Sequence, residues 1–210
     1  MVEKTSCVIV GGGIISDYNK TRHYINENDF IICADKGYIH CEAMRLSADL
    51  IVGDFDSSPY PENSECKVLK LNAEKDETDL FIAVSEGYQL GFRRFLLLGC
   101  LGGRFDHTFA NLTLLAYWID KGAEIVLKDE QNEIFMLNPG VYEFHKRKKY
   151  VSFFAYSEKV TDLSLKGFKY PLNHYNLINS CGLCVSNEIS EDNCTVSFDS
   201  GKLLVVFSMD

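Results

Sequence analysis

Two carboxylates separated by one residue, Asp54 and Asp56 of Gly53-Asp54-Phe55-Asp56-Ser57, follow the apolar run Leu50-Ile51-Val52. On an extended segment leaving a buried strand, residues two apart project to the same side. Two acids held that way repel each other unless a cation lies between them. Alone, the turn reads equally well as a solvated loop. A second acidic turn, Lys75-Asp76-Glu77-Thr78-Asp79, stands just before a helical pattern. Asp76 or Thr78 can cap that helix, and acids in its first turn complement its dipole. Capping needs a single residue, however, and a carboxylate at this junction can instead ligate a metal while Lys75 meets a phosphate or a substrate edge.

The most informative stretch is Gly99-Cys100-Leu101-Gly102-Gly103-Arg104-Phe105-Asp106-His107. Three glycines let backbone approach a ligand closely. The helix that begins there offers free amide groups and partial positive charge to phosphate oxygens. Arg104 in its first turn opposes the helix dipole, which points to another partner, and a guanidinium binds phosphate in a bidentate manner. The bland alternative makes Gly102-Gly103 a turn, Asp106 a capping acid and His107 a surface residue. Together the three turns describe a Mg²⁺-dependent phosphate-transfer site assembled from several strand ends. The triple glycine Gly11-Gly12-Gly13 does not add to it. A dinucleotide fingerprint needs glycine where Ser16 stands, and no Gly-Lys-Ser/Thr occurs, so a tight strand-to-helix turn is expected.

These turns must be positioned by a regular scaffold. Short apolar strands are expected at Cys7–Val10, 30–34, 50–52, 66–69, 95–98 and 124–127. Helices are expected from about Ser16 or Asp17, over 38–46, and over 78–90, where Leu80, Phe81, Val84 and Tyr88 recur at helical spacing. A further helix over 105–119 would set Phe109, Leu112, Leu115, Ala116 and Ile119 on one side. Alternation of this kind implies an α/β domain with a mostly parallel, Rossmann-like sheet, which binds ligands at the carboxyl ends of its strands. After about Glu130 the helical period disappears. Residues 134–137 and 141–144 around Asn138-Pro139-Gly140 read as a hairpin. Strands follow at 150–156, 163–165, 184–189, 195–198 and 203–207, with Asp199-Ser200-Gly201-Lys202 closing a last hairpin. The second half is therefore expected to be an all-β sandwich or barrel. The boundary falls within 128–132, giving domains 1–130 and 131–210.

Composition bounds the function. A net charge of −9 argues against nucleic-acid binding, which relies on Lys and Arg. It leaves a nucleotide open, because a bound metal can reverse the local sign of a site. No apolar run approaches the roughly 20 residues that span a bilayer, and the N-terminus lacks the pattern of a signal peptide. Eight cysteines scattered through strands and helices read as reduced thiols of a cytoplasmic protein. Cys181 and Cys184 have CxxC spacing but neither a second ligand pair nor a redox strand-to-helix setting. The basic run 145–149 reads as a solvated loop, and the sequons at Asn111 and Asn193 carry no meaning in a cytoplasmic chain.

In order and spacing, the three turns resemble the motifs of the thiamine pyrophosphokinase family. Gly167-Phe168-Lys169-Tyr170-Pro171-Leu172 and Val185-Ser186-Asn187-Glu188 resemble that family's later motifs, so the likeness spans nearly the whole chain. It implies an N-terminal α/β domain, a C-terminal β-sandwich and a homodimer with thiamine bound between subunits. The implied reaction moves a pyrophosphoryl group from the co-substrate ATP to the thiamine hydroxyl, releasing AMP. By this match Asp54, Asp56 and Asp79 are the Mg²⁺ ligands, and with Arg104 and Asp106 they form the catalytic set. The ATP site takes Asp35, Gly37, Asp76, Thr78, Gly102, Gly103, Arg104 and His107. The thiamine site takes Lys75, Asp106, Tyr170, Ser186 and Asn187. Two departures stand out: Asp35-Lys36-Gly37 replaces a common Asp-Gly-Gly, and Tyr170 stands where tryptophan is frequent.

Overall fold

A computed structural model describes residues 6–56, 59–61, 66–72, 74 and 76–210. The chain divides into two compact units, Met1–Glu130 and Gln131–Asp210.

The first unit alternates strands and helices in the order β1 (Cys7–Val10), α1 (Tyr18–Arg22), β2 (Phe30–Ala34), α2 (Gly37–Ala43), β3 (Leu50–Gly53), β4 (Lys67–Lys70), α3 (Asp79–Gln89), β5 (Arg94–Leu98), α4 (Phe105–Ile119) and β6 (Glu124–Lys128). Its strands pair in the order β4-β3-β2-β1-β5-β6, every pair parallel. The chain builds outward from β1 through β4, then returns to β1's other side with β5. All carboxyl ends lie along one edge, and the direction of winding reverses between β1 and β5. Loops diverge at such a point and leave a crevice.

The continuous apolar runs of these strands are explained by burial on both faces. Val8, Val10, Ile31, Cys33 and Leu98 share one core with Tyr38 and Cys41 of α2. Their alternating neighbours face the other way. Gly87 of α3 lies so close to Phe95 and Cys7 that a Cβ there would sit 2.7 Å from the Phe95 ring and 3.2 Å from the Cys7 Sγ. Hence α2 and α3 cover opposite faces. In α4 the buried residues are Leu114, Leu115 and Trp118, whereas Phe105 and Phe109 are 76% and 54% exposed. The core-facing stripe is thus displaced from the expected Phe109-to-Ile119 face. Trp118 takes the inward position, its ring 5.5 Å from Phe81 and 5.1 Å from Tyr88 of α3.

The second unit contains β7 (Asn132–Leu137), β8 (Gly140–Phe144), β9 (Tyr150–Ala155), β10 (Lys159–Lys166), β11 (Leu172–Ile178), β12 (Cys194–Phe198) and β13 (Leu203–Ser208). β13 lies antiparallel between β7 and β9. β11, β10, β12 and β8 form a second antiparallel sheet in that order. One core that includes Phe144, Phe153, Leu163, Leu165, Val196, Phe198, Val205 and Phe207 draws on both sheets. Neither expected hairpin exists. β7 pairs with β13 while β8 pairs with β12, so Asn138-Pro139 carries the chain between sheets, and residues 199–202 do the same between β12 and β13. The expected strand over 184–189 is a turn with isolated bridges at Asn187 and Ile189. Conversely, β11 escapes sequence reading because only Leu177 within it is buried, which leaves no apolar alternation to detect. Cys184 packs into the core with its thiol free, and burial raises its pKa to about 11. No helix of the described residues is long and apolar enough to cross a membrane.

Candidate active site

Three carboxylates converge at the carboxyl edge of the parallel sheet. Asp35 follows β2, Asp54 follows β3 and Asp79 opens α3, with one oxygen of each lying within 4.8 Å of the others. Strand register sets the first contact, since Ala34 pairs with Val52 and the Asp35 amide donates to the Val52 carbonyl at 2.7 Å. Gly53 permits the approach, because a Cβ there would lie 3.0 Å from the Asp35 Cα. Thr78 supplies the third member. It caps α3 by accepting from the Phe81 amide at 3.2 Å, which leaves Asp79 in the first turn.

Asp56 stands apart from this cluster. Phe55 adopts φ +59°, so the segment is not extended and the expected same-side projection of Asp54 and Asp56 fails. The Asp56 amide instead donates to Asp54 Oδ1 at 3.2 Å, and its own side chain is exposed. Asp35, at φ +50°, is the acid that groups with Asp54 and Asp79 instead. Non-glycine residues in this left-handed region cost about 1–3 kcal/mol and concentrate at functional sites. The grouped donors are all carboxylate oxygens, which suits a hard divalent cation such as Mg²⁺ rather than a thiol-seeking metal.

The floor beside the acids is backbone. Gly13 donates to the Gly99 carbonyl and Gly11 to the Leu98 carbonyl, each at 2.8 Å. A Cβ on Gly13 would lie 2.5 Å from that Gly99 oxygen, and one on Gly37 only 1.9 Å from the Val10 oxygen. The triple glycine is therefore more than a strand-to-helix turn, since it interlocks the loops after β1 and β5. Gly37 is required for the same close packing on the β2 side. His40 braces the floor from below, one ring nitrogen 2.8 Å from the Gly13 carbonyl and the other 2.8 Å from the Tyr18 hydroxyl. Burial lowers its pKa, which keeps the imidazole neutral.

Beyond this floor Gly102 and Gly103 adopt φ +76° and +68° and deliver the chain into α4. Asn111 reaches back to donate to the Cys100 carbonyl at 2.7 Å, and the Thr108 hydroxyl donates to the Gly102 carbonyl at 3.2 Å. Sequence reading missed these supports; the sequon at Asn111 concealed a residue whose spacing from Cys100 was the only signal. Arg104 holds Asp106 with both prongs, Nε to Oδ1 at 3.1 Å and an amino group to Oδ2 at 2.5 Å. The His107 amide also donates to Asp106. The guanidinium holds the Asp106 carboxyl below the usual carboxylate range, and the carboxylate raises the Arg104 pKa in return. Asp76 and His107 are exposed, and Ser57 and Lys75 lie outside the described residues.

In the second unit Tyr170 presents a ring on a residue that is 58% exposed. Ser186 has φ +57° and its amide donates to the Ser152 hydroxyl at 2.9 Å. The Asn187 side chain is turned inward, onto the backbone of Tyr170.

Residues 21–127 match the family model "Thiamin pyrophosphokinase, catalytic domain", and residues 141–203 match "Thiamin pyrophosphokinase, vitamin B1 binding domain". The chain belongs to the thiamine pyrophosphokinase family. The Thiamine pyrophosphokinase of Bacillus subtilis is 34% identical over 99% of this chain and its own full length. The Bacillus subtilis crystal structure superposes with a TM-score of 0.89 at 32% identity, covering 98% of this chain and all of that one. The enzyme of Geobacillus thermodenitrificans gives 0.87 at 32% identity over 98% of each chain. The fold persists at 18% identity in the Candida albicans family member, with a TM-score of 0.79. Family members thus share a parallel and antiparallel sheet with helices and a second sheet.

Proposed function

We propose that this protein transfers the pyrophosphoryl group of ATP to the hydroxyl of thiamine, yielding thiamine diphosphate and AMP. The observation that carries the reading is the convergence of Asp35, Asp54 and Asp79 beside a glycine floor and the start of α4, in a chain that matches both family domains. The first unit is read as a Rossmann-like, doubly wound layer that binds ATP, and the second as a β-sandwich that binds thiamine.

In this reading Asp54, Asp79 and Asp35 would hold Mg²⁺, with Asp56 at the rim. The ion supplies charge neutralisation that lets polyphosphate approach a carboxylate cluster. Gly102, Gly103 and the first amides of α4 receive phosphate oxygens, and Arg104 orients them while remaining charged. Gly37 acts through the packing it allows, with Asp76, Thr78 and His107 completing the ATP rim. Asp106 is a weak base, because Arg104 lowers its pKa; it orients the thiamine hydroxyl rather than taking its proton. Positioning and electrostatics therefore carry most of the catalysis. Lys75, Ser186, Asn187 and the Tyr170 ring complete the thiamine site. Tyr170 is contributed by the second subunit of a homodimer, where its face suits a flat cation. Eight free thiols fit a cytoplasmic location.

The test is an incubation with ATP, thiamine and Mg²⁺ followed by separation of nucleotides. Thiamine diphosphate and AMP are expected in equal amounts. ADP or inorganic phosphate as the thiamine-dependent product would reassign the site to an ordinary kinase or phosphohydrolase.

A further inference from the structure

Asn187 is a polar side chain left only 2% exposed, and both ends of its amide engage the backbone of Tyr170. Its Oδ1 accepts from the Tyr170 amide at 3.0 Å, and its Nδ2 donates to the Tyr170 carbonyl at 2.8 Å. Both backbone groups of Tyr170 are thus read by one amide, as a neighbouring strand would read them. The second acceptor position of Oδ1 is taken by the Glu188 amide at 2.9 Å, so this oxygen is fully engaged. Asn187 is itself fixed, because its carbonyl accepts from the Val151 amide at 2.8 Å.

The same two segments are joined on either side of this clamp. The Lys169 amide donates to the Glu188 carbonyl at 2.9 Å, and the Lys169 ammonium reaches Glu188 Oε1 at 2.6 Å. Phe168, buried in the core, bridges to Ile189. The peptide of Tyr170 is thereby immobilised while its ring stays outside. An aromatic platform on an otherwise irregular loop between β10 and β11 would lose affinity to the entropy of ordering it. The clamp removes that cost before any ligand arrives.

We propose that Asn187 is a positioning residue for thiamine recognition, acting through the backbone of Tyr170 rather than by touching the substrate. The inference rests on the reading that the Tyr170 ring meets thiamine. It turns a residue assigned to the pocket wall into the support of an aromatic that faces outward.

The experiment is a double-mutant cycle on the full-length protein, with steady-state constants for thiamine and ATP measured separately. Asn187→Asp keeps an acceptor for the Tyr170 amide and removes the donor to its carbonyl, and Asn187→Ala removes both. Each is expected to raise KM for thiamine about tenfold, with KM for ATP unchanged. Added to Tyr170→Ala, either change should have no further effect on KM for thiamine. Additive losses in the double variant would overturn the proposal, since Asn187 would then contact the substrate itself. So would Asn187 variants with an unaltered KM for thiamine beside a Tyr170→Ala variant in which it rises. If Tyr170→Ala alone leaves KM for thiamine unchanged, the underlying assignment of Tyr170 fails and the inference falls with it, a distinct result. Amide exchange at Tyr170, faster in Asn187→Leu, which lacks an acceptor at similar volume, than in the parent, reads the clamp directly should Asn187→Ala not fold.

Discussion

Single residues decide the chemistry, and the three grouped acids are the most exposed to test. Asp54→Asn and Asp79→Asn should each lower turnover by roughly 100-fold or more and raise the Mg²⁺ concentration needed for half-maximal rate, with an unchanged circular dichroism spectrum. Asp35→Asn should do the same. Asp56→Asn discriminates between ligand sets. Its loss should be smaller than that of Asp54→Asn, and an equal loss would restore Asp56 as a ligand. Asp106 offers a pH readout. Its carboxyl titrates lower folded than unfolded, so the Arg104 pair favours the folded state at neutral pH, and that contribution disappears as pH falls through the folded-state value. Arg104→Ala should return the carboxyl carbon titration, followed by NMR, toward the ordinary aspartate value. Asp54 and Asp79 were legible because each terminates a pattern a reader can see. The grouping of Asp35 rather than Asp56 with them was not, because it follows from left-handed backbone at Phe55 and Asp35, and a phenylalanine gives no hint of that conformation.

At the scale of elements, the connections after β1, β2 and β5 matter more than the strands that carry them. Gly37→Ala would drive a methyl into the Val10 carbonyl and should cost about 3 kcal/mol, measured by denaturant unfolding. Gly91→Ala is the control. It also has a positive φ but meets nothing within 4 Å, so only the backbone penalty of about 1–2 kcal/mol applies. The alternation of the first unit could be read from sequence because apolar runs and helical spacing are local properties. The partners of β7, β8, β12 and β13 could not. A tight turn specifies that the chain reverses, whereas which sheet receives the returning strand depends on how the Phe144, Phe153 and Phe207 side chains fill a shared core. β11 went unseen for the opposite reason, its side chains being mostly in solvent.

For the whole molecule, the proposed function assigns the phosphate donor to one compact unit and the acceptor to the other. If thiamine is held between two copies, light scattering should report a dimer at working concentration, and activity per protomer should fall when dilution separates the copies. A monomer of full specific activity would refute the shared site. The net charge of −9 implies that ATP approaches against the overall field, so the rate at low Mg²⁺ should depend steeply on the free ion. The interlocked glycine loops bear on how such a protein can change. Where the loops after β1, β2 and β5 lock together, with 2.5 Å or less left for any added carbon at Gly13 and Gly37, no side chain is available for substitution to alter. Selection for a different donor or acceptor has no letters to rewrite in that region. Drift and engineering alike are confined to the rim, and divergent members of such a lineage should differ in what they accept long before they differ in how they grip phosphate.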